Sequence, residues 1–325
     1  MRIMFSGGGT AGSVTPLLAL AEQLKNHELW FVGTHTGVER QLVTGMTYLT
    51  LPAGKWRRYF SLRNVIDPLI IIGAFYKAWY LLLKHHPDVV VSAGGFVSVP
   101  LVWAAWWCNI PVLVHHQDMC MSLATRLMKP FTSVLTKATE VGNPVRALTV
   151  KTNTFTLNPT IPTILIMGGG TGAQAINDLV SLELCQHYNV IHSTGTGKIS
   201  KKIDHSHYQS FTLLTDTFAE ALSKADLVVC RAGFGTISEL AALGKAAIVI
   251  PIPQSHQEDN AKWLEDHQAA VVASQSELTQ EKLIQLIKTT LSKRSQLESS
   301  IKQLLPSNAT STLCQIIERL GNSDR

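Results

Sequence analysis

Eight times along the chain, a short apolar run closes on a glycine or polar turn and passes into a helical stretch. The runs are RIMFSG, ELWFVG, DVVVSAG and PVLVHH in the first half, and TILIMGG, NVIHSTG, DLVVCRAG and AAIVIPIP in the second. They do not alternate polar with apolar residues. Each therefore predicts a strand covered on both faces, as in a parallel sheet. Helical segments between such strands make βαβ units. The expected fold class is α/β, with two Rossmann-like doubly wound parallel-sheet domains. A chain of 325 residues is long for one core and suits two domains of about 150 residues each. The segment 140–162, EVGNPVRALTVKTNTFTLNPTIP, is polar and holds three prolines, which marks it as the linker.

The stretch from Val89 to Val114 carries no charge and is long enough to span a bilayer. Gly94-Gly95, Pro100 and the Asn109-Ile110-Pro111 turn interrupt it, so strand, short buried helix and strand is the expected reading. The net charge of +5 suits an anionic ligand or membrane surface and does not suggest nucleic acid as a partner. Five cysteines without a C-x-x-C pair point to a reduced, cytosolic setting, and an N-terminus that enters a strand directly predicts no signal peptide.

Two strand–helix turns fit the dinucleotide fingerprint. Gly7-Gly8-Gly9-Thr10-Ala11-Gly12 reads G-x-G-x-x-G, and Gly168, Gly170 and Ala173 fit its G-x-G-x-x-A variant. Such turns let backbone N–H groups approach a phosphate at the positive end of a helix dipole. NAD binding further needs an acidic residue at the end of the second strand. The second strands end Gly33-Thr34-His35 and His192-Ser193-Thr194-Gly195, without the acid. A dinucleotide is therefore disfavoured; the glycines either cradle another phosphate or only permit tight strand–helix packing. Two such domains suit a nucleotide-sugar glycosyltransferase.

The most informative stretch is DLVVCRAGFGTISELAALGKAAIVIPIP. A strand ends in Cys230-Arg231, the loop Ala232-Gly233-Phe234-Gly235 follows, and a helix is expected to start near Thr236. Its first N–H groups suit a diphosphate. Thr236 adds a hydroxyl, and Glu239, on the same face, could accept both hydroxyls of a ribose. The same spacing is also that of a capping box, which would satisfy the helix start internally. Downstream, His256, Gln257 and Asn260 suit sugar hydroxyls, or Asp259 and Asn260 simply begin a helix. No metal-ligand spacing is visible; His85-His86 and His115-His116 are adjacent pairs that diverge.

Assembled, these motifs resemble the MurG family. GGGTAGSVTPLLALAEQL is similar to that family's GGTGGHxxPALAxA, PVLVHHQD to its V-I-H-E-Q-N, VGNPVR to its G-N-P-V-R, and LIMGGGTGAQAIN to its LxGGSxGAxxxN. HHPDVVVSAGGFVSVP resembles its second glycine-rich segment, and CRAGFGTISELAALGKAAIVIPIP followed by HQEDNA is the strongest match. The resemblance implies a GT-B architecture of two domains facing a cleft. Residues 1–145 would be the acceptor- and membrane-binding domain and 146–306 the UDP-sugar-binding domain, with a helix from about 307 to 325 packing back on the first. It implies an inverting, metal-independent, cofactor-free transfer of GlcNAc from UDP-GlcNAc to a lipid-linked muramyl acceptor (lipid I), on the cytoplasmic face of the cell membrane. Other wall-synthesis proteins would be further partners.

Carried over residue by residue, Glu239 would hold the ribose, Thr236 the diphosphate, Thr215 the uracil, and Gln257 the GlcNAc hydroxyls. Arg146 would approach the donor phosphates. Phe234, Gly235, Ile237 and Ser238 join the donor-contacting set, as do Gly170 and Thr171 of the second glycine loop. Thr10, Ala11 and Gly12 join it from the acceptor side. Three departures matter. Ser13 stands where the family has a loop histidine; His116 and Asp118 stand where it has glutamate and asparagine; and Gly170 replaces a serine, with Thr171 beside it. A serine is no base near neutral pH without an activating partner. Asp118 is then the candidate to take the acceptor's proton, with His115 or His116 nearby, unless it only hydrogen-bonds a substrate. The departures also leave open a different lipid acceptor or a catalytically silent homologue.

The resemblance also implies peripheral membrane docking. LPAGKWRRYFSLRNVIDPLIIIGAFYKAWYLLLKHH mixes Lys55, Arg57 and Arg58 with Trp56, Tyr59 and Phe60, ahead of a helix carrying Ile71, Phe75, Trp79 and Leu82 at 3–4-residue spacing. Cations beside interfacial aromatics suit anionic head groups. The alternative is that this stripe faces the core. Trp106 and Trp107 are further candidates for membrane contact or for burial.

Overall fold

The computed structural model describes residues 1–54, 63–150, 152–169, 172–198, 202–215 and 217–322, and the side chains of 63–68 are not described. Lys55, Trp56, Arg57, Arg58, Gly170 and Thr171 therefore lie outside the described residues. The chain divides into two compact units, Met1–Arg146 with Pro306–Arg325, and Ala147–Leu305.

The N-terminal unit holds a six-stranded sheet of β1 (Arg2–Ser6), β2 (Glu28–Gly33), β3 (Thr47–Thr50), β4 (Val89–Ser92), β5 (Val112–His116) and β6 (Val134–Lys137), in the order β3-β2-β1-β4-β5-β6. All its pairings are parallel. The inner strands β1, β4 and β5 bear fully buried apolar residues on both faces, such as Ile3, Met4, Val89, Val90, Val112 and Leu113. One face packs on the helices Arg63–His85 and Ser98–Trp107. The other packs on Thr15–Gln23 and on Ala309–Asn322, which contributes Leu313, Cys314 and Ile317. The uncharged stretch from Val89 to Val114 thus resolves as β4, the helix Ser98–Trp107 and β5. No helix among the described residues is long and apolar enough to cross a membrane.

The second unit repeats the plan. β7 (Thr163–Met167), β8 (Asn189–Ser193), β9 (Tyr208–Phe211), β10 (Leu227–Cys230), β11 (Ala247–Val249) and β12 (Val271–Val272) run parallel in the order β12-β11-β10-β7-β8-β9. Sequence order reverses between β1 and β4 in one sheet and between β7 and β10 in the other. Doubly wound sheets bind ligands outside the carboxyl ends of their strands at this switch point. The glycine turns after β1, β4 and β7, and the Ala232-Gly233 turn after β10, all lie there.

The helix Arg63–His85 corrects one expectation. Phe75 packs against the core cluster, and Leu82 belongs to it at 1% exposure. The outward face is instead Leu69, Ile72, Tyr76, Tyr80 and Leu83, with Trp79 at its border. Trp106 and Trp107 are exposed rather than buried, at 53% and 64%.

Candidate functional site

The loop after β10 leads into the helix Phe234–Leu243. Gly233 is its N-cap, in an extended conformation, and no side chain caps it. The first backbone bond to close is Ile237 N–H to Gly233 O at 3.0 Å. The N–H groups of Phe234, Gly235 and Thr236 lie in the first turn, where a helix has no partners of its own. The helix starts two residues earlier than expected, so Thr236 lies inside the first turn and the capping box does not form. Gly235, Thr236 and Glu239 are half-buried. Phe234 stacks on Trp263 with centroids 5.8 Å apart, Ile237 is wholly buried, and Ser238 Oγ donates to Phe234 O at 2.7 Å. The side chains of Ile237 and Ser238 thus serve packing, and only the Gly235, Thr236 and Glu239 edge remains for a ligand. Burial pushes the Glu239 carboxyl up to about 7. The Cys230 thiol beneath it is pushed up to about 12, by burial and then by Glu239.

Two residues that the sequence reading did not assign to positioning hold this loop. The buried Arg231 guanidinium donates to Ile250 O and Pro251 O at 3.1 Å each, and to Gln275 Oε1 at 2.7 Å. Asn260 is fully buried, and its Nδ2 donates to Ala232 O at 3.0 Å, so its side chain braces the loop instead of facing a sugar. Gln257 opens the helix Gln257–Asp266; its Oε1 accepts from Ile252 N at 3.2 Å, leaving its NH2 as the donor. Thr215 is exposed and lies four residues beyond the end of β9. In the second glycine loop Gly172 has φ +69°, and a Cβ there would stand 2.3 Å from Thr194 O, so the turn tolerates no side chain.

In the N-terminal unit, Ala11–Ser13 form a short 3-10 turn after the glycine loop. Ser13 Oγ donates to Gly8 O at 3.1 Å and Thr10 O at 3.0 Å, which closes the loop on itself. Thr10 is exposed, and Ala11 and Gly12 are half-buried. At the end of β5, His115 is locked between Thr136 Oγ1 and Asn143 Oδ1, each at 3.0 Å, and burial pushes it down to about 4. It is a neutral structural histidine. His116 is different. Its Nε2 is buried and has no hydrogen-bond partner among the described residues. Burial lowers its pKa, and the neighbouring Asp118 charge opposes that. Asp118 itself is half-buried. Arg146 Nε donates to Glu22 Oε1 at 2.8 Å. Among the described residues, no group of three or more His, Cys, Asp or Glu side chains is placed to hold a metal ion.

Two all-parallel α/β units with glycine turns at their switch points, one of them bearing an uncapped helix start and a carboxylate a turn further on, define the GT-B class of glycosyltransferase. The comparisons are specific. The Glycosyltransferase family 28 N-terminal domain matches residues 3–136, and the family 28 C-terminal domain matches residues 163–320. A UDP-N-acetylglucosamine–N-acetylmuramyl-(pentapeptide) pyrophosphoryl-undecaprenol N-acetylglucosamine transferase of Clostridium perfringens is 32% identical, covering 98% of this chain and 98% of that protein. Its Legionella pneumophila counterpart is 32% identical over 97% and 96%. The crystal structure of Acinetobacter baumannii MurG superposes with a TM-score of 0.74 at 27% identity, covering 98% and 99% of the two chains. The glycosyltransferase of kitacinnamycin shares the fold, with a TM-score of 0.78 at 13% identity over 98% of each chain. The chain belongs to glycosyltransferase family 28 and, within it, to the MurG family.

Proposed function

We propose that this protein transfers GlcNAc from UDP-GlcNAc to the 4-hydroxyl of a lipid-linked muramyl acceptor, with inversion at the anomeric carbon. The observation that carries this reading is the uncapped start of the helix Phe234–Leu243 with Glu239 one turn on. The diphosphate accepts from the free amides of Gly235 and Thr236, where the helix dipole favours negative charge. Glu239 accepts both ribose hydroxyls, Thr215 lies by the uracil, and Gln257 donates to the sugar. The N-terminal unit holds the acceptor along Thr10, Ala11 and Gly12. A transfer assay with radiolabelled UDP-GlcNAc and a lipid I analogue tests the reading; labelled product supports it. Binding of UDP without transfer to that lipid contradicts it. That result favours the second reading, a silent or differently directed homologue, which is supported by the commitment of Ser13 Oγ to two loop carbonyls.

Asp118 takes the proton from the attacking hydroxyl, since the Ser13 hydroxyl is committed to two loop carbonyls. His115 has no part in this, because both its ring nitrogens are engaged. Asp118→Asn keeps the shape and removes the basicity. Its kcat is expected to fall about 100-fold or more, with UDP affinity unchanged. Persisting turnover would exclude Asp118 as the base.

The enzyme docks on an anionic membrane surface through two adjacent helices. Leu69, Ile72, Tyr76, Tyr80 and Leu83 on one and Trp106 and Trp107 on the other are exposed apolar groups, and Lys77 and Lys84 of the first helix are exposed too. Aromatic and basic groups together suit the head-group region. The Trp106→Glu/Trp107→Glu double variant is expected to bind phosphatidylglycerol vesicles about tenfold more weakly, with UDP affinity unchanged. Vesicle binding equal to that of the parent protein would rule these tryptophans out.

A further inference from the structure

Glu39 is fully enclosed in the N-terminal unit, at 0% exposure. Its Oε1 accepts from Thr34 N at 2.9 Å and Thr34 Oγ1 at 2.6 Å, and its Oε2 accepts from Gly9 N at 3.4 Å. Burying a carboxylate is costly unless donors surround it. Here the donors come from two loops, the glycine loop after β1 and the turn after β2. Glycines make the room. A Cβ at Gly8 would stand 2.7 Å from Glu39 Oε1, and one at Gly37 would stand 2.2 Å from both carboxylate oxygens. Gly8 in turn meets the loop after β4: a Cβ at Gly95 would stand 2.5 Å from Gly8 O. One carboxylate therefore ties the glycine loop beside the switch point to the turn after β2, and the loop after β4 packs against Gly8.

The glycine loop is fixed from both sides. Glu39 takes the Gly9 N–H, and Ser13 Oγ takes the Gly8 and Thr10 carbonyls. We propose that Glu39 is a positioning residue for the acceptor: it sets the conformation of the Gly9–Ser13 loop against which the acceptor lies, without touching the acceptor itself. It also engages the Gly9 amide, which is then not offered to an anionic group. The inference rests on the reading that the N-terminal unit binds the acceptor.

Glu39→Gln tests it. The carboxamide oxygen can keep the two Thr34 donors, but its NH2 then confronts the Gly9 N–H, donor against donor. Amide hydrogen exchange over Gly9–Ser13 is expected to quicken. The KM for a lipid I analogue is expected to rise about tenfold, while the KM for UDP-GlcNAc stays within about twofold of the parent value. A purely structural role would lower thermal stability without splitting the two KM values. Should Glu39→Gln fail to fold, Gly37→Ala displaces the same carboxylate and must give the same split. An unchanged acceptor KM in the folded variant overturns the proposal. The exchange measurement needs no turnover, so unchanged exchange overturns it even where the parent protein transfers nothing. Absence of transfer by the parent protein counts separately, against the proposed function.

Discussion

Glu239→Gln is expected to bind UDP about 50-fold more weakly, because charge-assisted hydrogen bonds to the two ribose hydroxyls become weaker and one acceptor becomes a donor. Isothermal titration calorimetry reads this directly. The same substitution should stabilise the free protein above neutrality. Burial raises the folded-state pKa of Glu239 from an ordinary 4.5 to about 7. The folded state therefore holds an extra proton between these values. The stability this group contributes is fully present below about pH 4.5 and is lost as pH rises through about 7. At about pH 8 the variant lacks a charge that the parent protein must keep in a poorly solvated place. It should gain about 2 kcal/mol, the full shift being discounted for the partial solvent access of Glu239. The gain should vanish near about pH 4.5. Parent UDP affinity should likewise fall as pH drops below about 7, since ribose binding needs the ionised carboxylate. A variant that binds UDP normally, or that gains nothing in alkali, would contradict this account of the helix.

Glu220→Ala is expected to cost the C-terminal unit about 3 kcal/mol or more. Glu220 lies in the helix Phe218–Lys224 at 0% exposure. Its carboxylate accepts from Thr152 Oγ1 at 2.5 Å, Thr154 N at 2.9 Å and Phe155 N at 3.2 Å, and pairs with Lys224 Nζ at 2.9 Å. These bonds secure the segment that leads into β7. Truncation leaves the Thr154 amide and the buried Phe155 amide without their acceptor. Burial alone would raise this carboxyl, but the donors outweigh it and hold it down at about 2. Its contribution is therefore present above the ordinary value of 4.5 and lost as pH falls from there towards about 2. Urea titrations from neutral to acid pH should show the parent and variant converging across that window. A difference that persists unchanged at the acid end would refute the assignment.

The inner strands were legible because they are buried on both faces. RIMFS, LVVC and the runs beside them are apolar without alternation, and the glycine turns that follow them fall at the switch points. The repeated apolar-run pattern passed over β3, β6, β9 and β12, which are the four sheet edges. TYLT, VLTK and YQSF carry mixed polarity, and the Val-Val pair of β12 is too short, so no run announces them. The helix Arg63–His85 misled for the opposite reason. Its apolar residues extend around both faces, so a 3–4-residue spacing fits the inward Phe75 and Leu82 as well as the outward Ile72, Tyr76 and Leu83. The helix that carries Thr236 and Glu239 was legible, but its start was two residues off because Gly233 caps through its backbone alone. Glu39 had no local signal: one acidic residue in a polar stretch, recruited only when Gly8, Gly33 and Gly37 make room for it.

The nucleotide's seat on the C-terminal unit bears most directly on the central claim, and a crystal structure of the protein with UDP examines it. The account predicts phosphate oxygens within hydrogen-bond reach of the Gly235 and Thr236 amides, with the ribose hydroxyls on Glu239. UDP bound at another place, with this helix start untouched, would contradict it.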